Sequence, residues 1–112
     1  MTVSVKVLIP AKTAESTQVT QYTATGVTAI IDKFTATNYS AAAATISVNL
    51  VTAAGSASND NLIVKTKTLQ ASETYTFPEL VGHVLAPSGF ISTIAGTASA
   101  INIRASGREV TS

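Results

Sequence analysis

The chain has 112 residues, a formal net charge of +1, and 12% charged against 46% hydrophobic residues. That length suits one domain with a single core, and seven basic residues scattered among six acidic ones supply no basic stripe for displacing phosphate counterions, so nucleic acid is not an expected partner. Without cysteine, disulfides and thiolate zinc sites are excluded, and no apolar run nears the ~18 residues of a membrane span.

Valine, isoleucine and threonine account for 38 residues. These β-branched types are stiff at χ1 and suit a pleated surface, and hydrophobicity alternates with a period near two along most of the chain. Val3, Val5, Val7 and Ile9 fall on one face of a first strand, with Ser4 and Lys6 on the other. Pro10 ends that strand because it cannot donate to a ladder. This opening segment lacks the continuous apolar core of a signal peptide. Thr17 to Thr23 alternates weakly, as an edge strand. Gly26 precedes a stronger strand, Val27 to Thr37, which Asp32 and Lys33 interrupt. A β-bulge turning both to solvent accommodates them, as does a polar pair at an interface.

Thr45 to Leu50 reads as a half-buried strand with Ile46, Val48 and Leu50 inward. Residues 54 to 61, AGSASNDN, form a hairpin loop. Within it Asn59-Asp60-Asn61 favours a turn, since the spaced acids and terminal Glu of a calcium loop are missing. Strands follow at Leu62 to Leu69 and Thr74 to Phe77. Phe90 to Ala95 and Ser99 to Ala105 make a final hairpin around Gly96-Thr97, with Ile101 and Ile103 inward and Asn102 and Arg104 outward. Arg104 to Thr111 either continues that strand or leaves as a tail. Seven or eight short strands at this spacing predict an all-β fold, an antiparallel β-sandwich or jelly roll occupying residues 1–112 as one domain.

The period breaks once, at TFPELVGHVLAPSGFIS, residues 76 to 92. Thr76 and Glu79 have the spacing of a capping box, Tyr75 and Leu80 flank it, and Pro78 falls in a first helical turn. Leu80, Val81, Val84 and Leu85 share one helical face, and Pro87 and Gly89 stop the run. A short corner helix near residues 77–85 is therefore expected. His83, the one histidine, lies on its polar edge. No spacing supplies the nucleophile or carboxylate that catalysis requires, and a lone histidine cannot make a zinc site. The reading is structural or exposed, with no catalytic residue, metal or cofactor. Glycine-rich phosphate loops are absent, and three Tyr and three Phe without adjacent basic clusters fit a core better than a nucleic-acid stacking platform. The sequon Asn38-Tyr39-Ser40 is a chance occurrence without a secretory signal.

The run KTLQASETYTFPELVGHVLAPSGFIS, the later INIRASGREV and the earlier FTATNYSAAAATISVNLVTAAG resemble a pattern in small virion proteins of tailed bacteriophages. The nearest resemblance is to the capsid decoration, cement or stapling proteins of short-tailed phages, of the epsilon-fifteen kind, and it covers roughly residues 27 to 110. One departure is Ala86-Pro87-Ser88-Gly89-Phe90, where a Pro-Gly-Asp turn is more usual. The resemblance implies a jelly-roll-like protein on the outer surface of a virion capsid, bridging neighbouring major-capsid subunits, with self-association as a dimer favoured and a trimer allowed. It implies no enzymatic activity.

The low charge, against the ~25% of typical soluble domains, fits a surface partly covered by a partner or one kept soluble by hydroxyls. The alternating strand Val3 to Ile9 either pairs with a neighbour's edge or completes the chain's own sheet, and residues 106–112 have the same two options. The residues expected at such an interface are Val3, Val5, Val7, Asp32, Lys33, Arg108 and Val110. The alternatives are a tail or head-fibre module and, less in keeping with a chain that has no Trp, an enzyme or carbohydrate-binding sandwich.

Overall fold

The computed structural model describes residues 1–111, so Ser112, the last residue of the expected C-terminal contact segment, lies outside the described residues. Nine strands are formed: β1 (Thr2–Thr13), β2 (Val19–Thr23), β3 (Thr28–Asn38), β4 (Ala44–Val51), β5 (Leu62–Leu69), β6 (Thr74–Tyr75), β7 (Val84–Leu85), β8 (Phe90–Ala95) and β9 (Ile101–Thr111). One sheet has the order β1-β9-β3-β6, with β7 also on β3. The other has the order β2-β8-β4-β5. All pairs are antiparallel. The two-residue strands β6 and β7 share the place beside β3, one at each end, so the chain winds in the strand order of a jelly roll.

The core lies between the sheets, and large side chains face small ones across the ladder. Phe34 pairs with Ala105, and Ala36 with Ile103; all four are buried. Such pairing lets large and small side chains interdigitate in one layer, as close-packed interiors require. Ile46, Val48, Leu69 and Ile91 close it from the second sheet. Phe77 packs edge-on against Phe34, with ring centroids 5.1 Å apart.

Bulges set the faces. Ile31 and Phe34 are both fully buried although three residues apart, which strict alternation forbids. The β3–β9 register shifts between Ile31 and Lys33, and the inserted residue returns Phe34 to the core while Asp32 and Lys33 stay exposed. In β1 a shift between Val7 and Ile9 buries Leu8 and Ile9. Val3, Val5 and Val7 therefore face outward, and Ile9 does not share their side as the uninterrupted alternation predicted. Pro10 does not end β1 either. It sits within an edge strand, where its missing donor faces no ladder partner.

Two further expectations are corrected. β8 and β9 do not form a hairpin but belong to different sheets. The connection between them is drawn apart: the Gly96 N–H binds the Thr45 carbonyl of β4, while the Ala100 carbonyl accepts from the Tyr39 N–H. The corner helix near residues 77–85 is also absent; among the described residues the one helical element is a 3-10 turn at Asn59–Asn61. Phe77 takes a φ of +32°, outside the helical basin. Two successive turns follow, closed by Leu80 N–H to Phe77 O and His83 N–H to Leu80 O. The Gly82 N–H and the His83 carbonyl then bond across to Ile31, pairing the segment with β3 instead of with its own preceding turn. Phe77, Leu80 and Leu85 are buried, while Val81 and Val84 are exposed. Glu79 caps nothing; its carboxylate accepts the Tyr75 hydroxyl at 2.7 Å.

Candidate functional site

Residues directly opposed in a sheet project from the same face, so the ladder registers define what the outer surface of the β1-β9-β3 sheet presents. One transverse row runs Val5, Arg108, Ile30, Val84; beside it lie Val3, Val110, Thr28 and Val7, Ser106, Lys33. Val5 is 87% exposed and Val84 57%. Val3, Val7 and Val81 are also exposed. In the middle of this valine-rich face, the Arg108 guanidinium clamps Asp32 through two nitrogens, with Nη2 to Oδ1 at 2.9 Å and Nε to Oδ2 at 3.0 Å. The guanidinium bonds hold the Asp32 carboxyl below the usual carboxylate range, and the carboxylate raises Arg108 in turn.

All seven residues expected at an interface, Val3, Val5, Val7, Asp32, Lys33, Arg108 and Val110, thus fall on one face at one end of the sandwich. The bulge joins Asp32 to Arg108 across 76 positions of sequence. Ile30 and Val84 belong to the same face and were not anticipated, and Val81 is exposed in the turn that precedes β7. Val81 and Val84 carried the period of a buried helix, and Ile30 alternates with the bulge left out of the count.

The reverse side of this end is polar and braced. Glu109 accepts the Tyr22 hydroxyl from the opposite sheet and lies 3.8 Å from Lys6 Nζ. Partial burial, followed by the hydrogen bond to Glu109, pushes the Tyr22 hydroxyl well above the ordinary phenol range.

Elsewhere the polar groups serve the fold. Asn38 is fully buried and its amide makes four hydrogen bonds: Nδ2 donates to the carbonyls of Ala42 and Leu69, and Oδ1 accepts from Ser40 N–H and Oγ. The sequon is therefore inaccessible in the folded chain. A cleft of about 280 Å³ on the outer face of β4 and β8 is lined by Gln18, Ser47, Asn49 and Lys65. Its amides are committed to neighbouring segments: Asn49 Nδ2 donates to Ser58 O and Asn61 Oδ1, and Gln18 Nε2 to Ser92 Oγ. Ser58 and Asn61 cap the 3-10 turn reciprocally, the turn expected for Asn59-Asp60-Asn61. His83 is exposed, with its backbone engaged by β3. Among the described residues no group of three His, Cys, Asp or Glu side chains is placed to hold a metal, and no helix is long and apolar enough to cross a membrane.

The exposed valine face with its central ion pair is the feature of this surface that the fold leaves without a partner. Comparison with protein-family models, curated proteins and solved structures gives no match.

Proposed function

We propose that the protein is a non-enzymatic structural component of a phage virion, which binds the outside of the capsid and staples neighbouring major-capsid subunits. The observation that carries this reading is the contiguous valine face of the β1-β9-β3 sheet around Val5, 87% exposed. Contiguous apolar surface of this kind marks an interaction site. The resemblance over residues 27 to 110 names the partner class, and the jelly-roll order is one that viral capsid domains use. Chemistry is not required of such a protein. Modest contacts suffice, because a repeating lattice lets many of them act together.

The test is cosedimentation of the purified protein with capsid shells lacking it, with bound copies counted per particle. Binding at many lattice-related positions is expected, weakened by Val5→Asp and unchanged by His83→Ala. A handful of copies per particle points instead to a tail or head-fibre module, and no binding rejects the decoration reading.

A further inference from the structure

The free edge of β1 is the longest strand edge that the two sheets leave unpaired, and its own sequence divides it. Over Thr2–Val7 the pairing with β9 runs without interruption. Beyond Val7 the register shifts twice before Lys12, and Pro10 removes a donor. Bulges and proline close an edge to further pairing, so the far half is guarded while Thr2–Val7 remains open. This open half carries Val3, Val5 and Val7 on the outer face and Ser4 and Lys6 on the other.

The open segment is complementary to itself. In an antiparallel approach about a two-fold axis through Val5, Val5 meets Val5 of the partner subunit, Val3 meets Val7 of the partner subunit, and Ser4 meets Lys6 of the partner subunit. Every exposed valine of the edge then opposes a valine and no like charges are directly opposed. Centring the axis on Lys6 sets two ammonium groups face to face, and centring it on Ser4 leaves Val7 facing the terminal methionine. An interface of this symmetry uses one patch twice, as two-fold dimers do.

We propose that a second copy of the chain occupies the β1 edge in this register, so that the β1-β9-β3 sheet continues from one protomer into the next. The edge pair alone falls short of the ~800 Å² per partner of a standard interface, so the dimer dissociates on dilution. It is independent of any capsid, and the valine stripes of the two protomers join into one surface.

The chain lacks cysteine, so single introduced thiols report the register. Opposed residues in an antiparallel pair have Cα atoms about 4.5–5.5 Å apart, within disulfide reach. Under mild oxidation Val5→Cys is expected to give a covalent dimer. Val3→Cys and Val7→Cys crosslink when mixed but poorly alone, and Val84→Cys, on the same face but off the edge, does not crosslink. By sedimentation the unmodified protein reaches twice its 11.4 kDa at high concentration, and Val5→Lys weakens the association by about tenfold or more. A monomer at every concentration, a dimer indifferent to Val5→Lys, or Val84→Cys crosslinking as readily as Val5→Cys overturns the proposal. Shell binding is read separately, so failure here leaves the capsid reading to its own test.

Discussion

Asn38 shows how much one buried amide can hold. Its side chain ties the end of β3 to the Ser40–Ala42 turn and to the last carbonyl of β5. Asn38→Ala takes the donor from the buried Leu69 carbonyl and the acceptor from the Ser40 N–H, while the Ser40 hydroxyl and Ala42 carbonyl keep each other. A loss of about 1–3 kcal/mol is expected, read as a fall in the urea midpoint without a change in slope. Gly107 is constrained differently. A Cβ there would press directly on the Ile30 carbonyl oxygen and on Leu8, because Leu8 uses the space above it. Gly107→Ala should therefore cost about 3 kcal/mol or more, at or beyond the upper end of ordinary overpacking, because the β3 backbone itself must move. Asp32 is an electrostatic case. Arg108 lowers its affinity for protons in the folded chain, so its contribution to stability is present above the ordinary carboxylate range and is lost as pH falls through the depressed midpoint. A carboxyl titration followed by NMR should place Asp32 below 3.8, and Arg108→Ala should return it toward that value. An unshifted midpoint in the native protein contradicts the clamp.

At the scale of the element, the bulge in β3 determines which side chains reach the core. Ile31, Phe34, Ala36 and Asn38 are buried, and one extra residue after Ile31 is what makes their spacing compatible with a strand. Deleting Asp32 leaves Ile31 and Phe34 two positions apart, so both keep the core face and the β3–β9 ladder runs regularly. Deleting Thr35 instead places Phe34 directly beside Ala36 and turns one of these two buried residues outward. A loss of roughly 3 kcal/mol or more is expected for the Thr35 deletion, and only a small change for the Asp32 deletion, which removes an exposed ion pair. Equal effects of the two deletions in thermal denaturation would show that the register is held elsewhere. The residue 77–85 segment is governed by the same competition. Its apolar residues fit a helical period, but burying Phe77, Leu80 and Leu85 together and bonding Gly82 and His83 to Ile31 satisfy more groups than an isolated two-turn helix, whose nucleation is unfavourable.

Across the whole molecule the two ends of the chain are joined, since β1 and β9 pair along their length. The alternative of free terminal arms is thereby closed for the described residues. That pairing places the N-terminal valines beside Val110 and Arg108, and β3 brings Ile30 and the Asp32 bulge next to them. The resulting face costs the monomer nothing in its core, so the roles of Val5 in folding and in association are separable. Val5→Asp should leave the thermal midpoint nearly unchanged, because the side chain is already 87% exposed, while reducing attachment to shells. A large loss of stability would instead make Val5 a folding residue.

The all-β class, most strand positions and the bulge at Asp32 were legible in the sequence, because period-two alternation, β-branched content and a break in alternation are local signals. Even the seven interface candidates followed from local reasoning about edges and interruptions. Their assembly into one face did not. Which strand neighbours which, that β8 and β9 part into different sheets, that Pro10 lies inside an edge strand and that Val81 and Val84 face solvent all depend on pairings between residues distant in the chain. Those pairings are chosen by simultaneous burial of the whole core, and no window of sequence contains them.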